Sequence, residues 1–165
     1  MLAVGLAGCG VIVPDQTPFP PLTAFIGSTD AVARLYGATI PGIEAIAIHP
    51  WFAIRAAGAR TFTRWEVWQD AGGPYGHVRK NLMSASSHVG GGPSFVLAQL
   101  RGAAAEPIVE FVETQSPDYP CRNRYVLFPG PNSNSYAQWV LEETGWDVTL
   151  PPTAIGKDVP ANCTP

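Results

Sequence analysis

This sequence predicts an α+β domain: a small antiparallel sheet packed with three to four helices. Three observations carry that reading. Strand signals and helix signals fall in separate runs rather than in regular βαβ alternation. Seventeen glycines and seventeen prolines cut the chain into short elements. The 165 residues, 46% of them hydrophobic, make room for one domain with a sizeable core and argue against wholesale disorder.

The elements follow in chain order. Residues 1–9, MLAVGLAGC, have the form of a truncated lipoprotein signal. Leu6-Ala7-Gly8-Cys9 matches a processing site with small residues before a lipidated Cys. The basic n-region is missing and the apolar stretch is short, so the alternative is a chance match in an ordinary apolar N-terminus. Residues 10–27 carry Pro14, Pro18, Pro20 and Pro21 and read as a Pro-rich tether or an edge segment. Residues 28–165 form the single α+β domain. In it, Ser28-Thr29-Asp30 opens a short helix over Ala31 to Tyr36, ended by Gly37. Ile43 to His49 is a buried strand, with Phe52 to Ala56 its continuation or neighbour. Ala57-Gly58-Ala59 turns a hairpin into a strong strand, Thr61 to Trp68, rich in β-formers.

Residues 70–93 form a long Gly/Ser-rich loop with one short strand near Val78. Ser94 caps a short helix through Leu100. A second helix spans about Ala103 to Thr114 and presents Ile108, Val109, Phe111 and Val112 as its apolar face. Pro117 to Pro120 breaks it. Arg124 to Phe128 is a strand, and Pro129 to Asn132 a turn. Asn132 or Ser133 then caps a helix through about Thr144, stopped by Gly145, with Tyr136, Trp139 and Val140 toward the core.

Composition narrows the partners. Charged residues are 14% and the net charge is −3, with no basic stripe and no interleaving of basic and aromatic residues. That argues against a nucleic-acid groove. No run approaches the ~18 apolar residues of a spanning helix. Cys9, Cys121 and Cys163 fit no metal-ligand spacing. With Cys9 lipidated, Cys121 and Cys163 are left as a disulfide, whose loop closure would stabilise the fold by about 4 kcal/mol. The alternative is two free thiols, one buried and one in a frayed tail.

Several strings resemble the bacterial family known as domain of unknown function 3750. They are His49-Pro50-Trp51, Trp65-Glu66-Val67, Leu100-Arg101-Gly102-Ala103, Tyr119-Pro120, Pro129-Gly130-Pro131-Asn132-Ser133-Asn134 and Leu150 through Asp158. The resemblance covers roughly residues 40–158. It implies an envelope location, often with an N-terminal hydrophobic segment, and no known activity. This chain departs from the family pattern at Cys121 and in its short N-terminus. More distantly, the chain is similar to permuted papain-like domains, the NlpC-type and lecithin:retinol acyltransferase-like proteins. There a strand His comes first, and a Cys opens a later helix. Here His49 precedes Asn132-Ser133-Asn134, and Ser133 stands where the nucleophilic Cys would be.

The resemblance makes His49, Ser133 and Glu66 a candidate catalytic set. A serine nucleophile needs a placed base, which His49 offers; Glu66 would orient the imidazole, and free N–H groups after Ser133 would hold an oxyanion. The structural alternative is a helix N-cap at Ser133, a turn held by Asn132 and Asn134, and a His49 hydrogen bond to that turn. Asn132, Asn134, Trp51, Arg101 and Lys157 are candidate binding residues. Arg101 reads more simply as an ion-pair partner. Lys157 reads more simply as part of a C-terminal latch in which Ile155 plugs the core. His77 and His88, in the long loop, make no zinc-site spacing with His49, so no metal or cofactor is expected. Two functions follow: a binding or structural envelope domain, or a serine-dependent hydrolase or acyltransferase acting on envelope peptides or lipid esters. The expected partner is a small molecule, peptide or lipid, with membrane attachment through lipidated Cys9.

Overall fold

The computed structural model describes residues 19–44 and 47–163. Five strands form one antiparallel sheet: β1 (Val32–Thr39), β2 (Ile48–Arg55), β3 (Thr63–Val67), β4 (Val78–Lys80) and β5 (Ser94–Arg101), in the spatial order β4-β3-β2-β1-β5. Two helices follow, α1 (Glu106–Gln115) and α2 (Ser133–Thr144). Single 3-10 turns lie at Leu22–Phe25, Gly102–Ala104 and Ser116–Asp118.

Side chains along a strand alternate between the two faces of a sheet. Here each face has its own core. On β2, Ile48, Phe52 and Ile54 join Trp65, Val67, Ile108, Val112, Tyr136, Val140 and Leu141 under the two helices. The edge of Tyr136 meets Phe52 at 5.9 Å between ring centroids. On the opposite face Trp51 and Ala53 join Tyr36, Ala38 and Val89. No helix of α1 or α2 covers this second face. It is roofed by the 3-10 turn at Leu22–Phe25 and by the loop between β4 and β5, which contributes Met83, Ala85 and Val89.

The antiparallel sheet, the β2–β3 hairpin, the short strand at Val78 and both long helices match the sequence reading. Four elements do not. The strand expected over Ile43 to His49 starts only at Ile48, and Ile43 lies in a turn where its N–H donates to Ile40 O. The expected helix over Ala31 to Tyr36 is β1, whose residues Val32 to Ala38 are all buried between β2 and β5. A strand buried on both faces loses the alternation that marks strands. The expected helix over Ser94 to Leu100 is β5, an edge strand that pairs with β1 around a bulge. Arg124 to Phe128 is irregular chain rather than a strand, joined to the following turn by Val126 N–H donating to Pro131 O. The helices proper therefore number two among the described residues, not three to four.

α2 begins with a capping box. Asn132 Oδ1 accepts the Asn134 N–H at 2.9 Å, and the Asn132 N–H donates to Ser135 Oγ at 3.2 Å. Gly145 closes the helix in the left-handed region at φ +64°. Cys121 and Cys163 are joined as a disulfide, which ties the C-terminal segment to the turn after α1. Ala154, fully buried, fills the core position expected for Ile155, which is only half-buried. The candidate lipoprotein signal at 1–9 and the segment 10–18 lie outside the described residues. The described end of the Pro-rich stretch lies on the sheet, with Phe25 2% exposed.

Candidate functional site

Positions 64, 66 and 68 of the β3 region and 49, 51 and 53 of β2 point to the second face of the sheet. That places His49 beside Glu66. His49 Nε2 donates to Glu66 Oε2 at 2.9 Å. Arg64 grips the same carboxylate with both arms of its fork, Nε to Oε1 at 2.8 Å and Nη2 to Oε2 at 2.8 Å. Arg64 Nη1 reaches on to the carbonyls of Ser84 and Ser87, and its guanidinium lies 4.1 Å from the centre of the Trp51 ring. Trp51 is fixed by stacking on Tyr36 at 5.0 Å and by Nε1–H donating to Ala85 O. The edge of Trp68 meets the His49 ring at 5.0 Å.

The cluster is dry. His49 is 6% exposed, and Arg64 and Glu66 are fully buried. Burial pushes the Glu66 carboxyl up. The hydrogen bonds and charges of His49 and Arg64 outweigh it and hold Glu66 below its ordinary value.

Ser133 sits at the first position of α2, on the side of the sheet occupied by Tyr136 and Phe52. Among the described residues no hydrogen bond joins it to His49. The two regions touch through the backbone instead. Asn134 Nδ2 donates to Ile48 O at 3.2 Å, one residue before His49, and to Ile155 O at 2.9 Å. Asn132 Nδ2 donates to Leu127 O and Ile155 O, and Ser135 Oγ to Gly156 O. Residues 132–135 are each under a tenth exposed, and the latch of Ile155 and Gly156 closes over them. Asn134 Oδ1 is left buried with no partner.

The remaining candidates stand apart. Lys157 pairs with the neighbouring Asp158 at 2.8 Å, and Arg101 with Asp30 at 3.0 Å at the far end of the sheet. His77 Nδ1 donates to Trp68 O, and His88 is exposed in the loop. Among the described residues no group of three His, Cys, Asp or Glu is placed to hold a metal. Arg64 is the residue that sequence reasoning missed. Its signal was Arg64-Trp65-Glu66 on a strong strand, a spacing that puts both charges on one face.

A family model described as protein of unknown function (DUF3750) matches residues 30–159. The chain belongs to the DUF3750 family. No curated protein and no solved structure matches it. The papain-like comparison therefore rests on residue order alone. The matched span of this DUF3750 domain starts just before β1 and ends just after the Ile155–Gly156 latch, so it takes in the whole sheet, both helices and the His49–Glu66–Arg64 cluster. Among the described residues of the domain, no helix is long and apolar enough to cross a membrane.

Proposed function

We propose that this DUF3750 chain is a binding or structural domain of the cell envelope, held outside the cytoplasm. One observation carries the reading. The polar residues with the most chemical potential, His49, Glu66, Asn132 and Asn134, are buried and committed to one another or to backbone carbonyls. Groups held that way rigidify and specify a fold. The Cys121–Cys163 disulfide supports an oxidising compartment, weakly. The Leu6-Ala7-Gly8-Cys9 string supports lipid attachment at Cys9. The ligand in this reading is a small molecule, peptide or lipid, and not nucleic acid.

A second reading has one observation of its own. The 2.9 Å contact of His49 with Glu66 is the base-and-orienter half of a catalytic triad. In that reading Ser133 is the nucleophile of a hydrolase or acyltransferase acting on envelope peptides or lipid esters.

A fluorophosphonate probe separates the two. The binding reading expects no covalent label on the wild-type chain. A label that disappears in Ser133→Ala would replace it with the second. Location is tested by fractionating cells that express the full-length gene and by mass spectrometry of Cys9. A soluble cytoplasmic chain with an unmodified Cys9 would remove the envelope assignment.

A further inference from the structure

At the end of the second sheet face away from His49, three guanidiniums gather around one ring. The cross-strand register sets this up. Val32 of β1 lies between Arg55 of β2 and Arg101 of β5, and Arg34 follows two residues along the same face. The Arg34, Arg55 and Arg101 guanidinium carbons lie 5.4, 6.0 and 4.9 Å from the centre of the Phe25 ring.

Their charge is poorly answered. An arginine cannot shed its proton, so a buried one needs a counter-charge or a full set of acceptors. Arg34 and Arg55 are 1% and 3% exposed, and among the described residues neither meets a carboxylate. Asp30 pairs with Arg101 and is itself half exposed. Arg34 donates to Gln99 Oε1, to Tyr36 OH and to Pro20 O. Arg55 donates to Phe25 O at 2.6 Å and Asp30 O at 2.8 Å, and its Nε is buried with no acceptor at all. Two of these acceptors, Pro20 O and Phe25 O, belong to the segment 19–26 that crosses over the cluster. That segment is one 3-10 turn without a side-chain cap. Its two ends expose Phe19 and Ile26, 44% and 80% open to solvent.

We propose that Arg34, Arg55 and Arg101 form a binding site for a phosphate-type oxyanion, closed in this structure by the segment 19–26 with Phe25 as its plug. The forked donors of arginine match the oxygens of such an anion. The anion supplies the charge that backbone carbonyls lack, and it offers an acceptor to Arg55 Nε. Pro20 O and Phe25 O hold the place of its oxygens in the closed form. The source is a free phosphate or the headgroup of an anionic phospholipid, and the exposed Phe19 and Ile26 suit the latter. The site shares no residue with the His49–Glu66–Arg64 cluster, so it stands whichever reading of that cluster holds.

The test uses the full chain. Inorganic phosphate is titrated at constant ionic strength against sodium chloride, read by calorimetry and thermal shift. Vesicles of phosphatidylglycerol are compared with phosphatidylcholine by sedimentation. Saturable binding of phosphate assigns a free anion; binding only to phosphatidylglycerol vesicles assigns a headgroup. Either supports the site if Arg101→Gln weakens it about tenfold, the worth of one charge-assisted hydrogen bond. Arg101 is half exposed, so this variant keeps the fold. Phe25→Ala, which removes the plug, is expected to tighten binding. No response to phosphate or to anionic vesicles beyond the chloride and phosphatidylcholine controls overturns the proposal. So does a response that Arg101→Gln leaves unchanged.

Discussion

Glu66 Oε2 receives two donors at once, His49 Nε2 at 2.9 Å and Arg64 Nη2 at 2.8 Å, inside a layer closed to water. The carboxylate is the sole counter-charge of a fully buried guanidinium among the described residues. Glu66→Gln keeps the shape and removes the charge. It leaves Arg64 buried and unanswered, a loss of about 3–5 kcal/mol. Urea unfolding of the variant measures it. A change under about 1 kcal/mol would mean that the cluster adds nothing to the fold beyond a surface pair.

The same pair sets an acid limit. Glu66 is held below its ordinary value near 4.5. A carboxyl depressed in the folded chain binds protons more readily once unfolded. Its stabilisation is therefore complete above about pH 4.5 and fades as pH falls through the lower, folded value. Urea midpoints measured from pH 7 down to pH 3 should drop below about pH 4.5. Glu66→Gln should flatten the part of that drop due to this residue. A wild-type curve with the same slope as the variant would show that Glu66 is not depressed.

The elements most legible in the sequence are those with purely local signals. α2 is bracketed by Asn132 and Gly145, and both do at the helix ends what their residue types favour. The β2–β3 hairpin was legible for the same reason. β1 was not, because Asp30 imitates a helix start and a strand between two others shows no alternation. β5 was hidden by Ser94, which follows a Gly-Gly-Gly-Pro run and looks like a cap, while its bulge breaks the period of two. The sequence pattern suggests Glu66 on a strand beside that of His49, and in the structure the two side chains meet. Which sheet face each residue takes needed the register, and the register is a tertiary fact. The arginine layer was equally invisible: Arg34, Arg55 and Arg101 are far apart in sequence and meet only through cross-strand pairing.

The Cys121–Cys163 bond closes 42 residues of chain around α2 and the latch. In the chain-entropy model its loss removes about 4 kcal/mol. Reduction, or the Cys163→Ser variant, should lower the melting temperature and should expose the latch first. Hydrogen exchange at residues 154–159 reads the second effect. Unchanged protection there, with the disulfide open, would mean that the latch holds without its anchor.

The latch also depends on one backbone shape. Gly156 lies at φ +89°, and a side-chain carbon there would stand 2.4 Å from Asn132 Nδ2 and 2.8 Å from Pro129 O. Gly156→Ala must therefore move backbone as well as adopt an unfavourable angle. The expected loss is about 2 kcal/mol or more, from strain and from displaced hydrogen bonds at Asn132. A variant as stable as the wild type would show that the segment packs loosely.

Asn132→Ala and Ser133→Ala give the sharpest contrast, because the sequence allowed either residue to cap α2. Asn132 accepts from the Asn134 N–H and donates to Leu127 O and Ile155 O. Removing it costs the cap and takes a donor from the part-buried carbonyl of Leu127, about 1–2 kcal/mol together, while Ile155 O keeps its hydrogen bond from Asn134 Nδ2. Ser133 sits one position later and makes no described hydrogen bond to His49, so Ser133→Ala should change stability by less than about 1 kcal/mol. Parallel urea melts decide it. If Ser133→Ala were the costlier change, Ser133 Oγ would be holding a partner of its own.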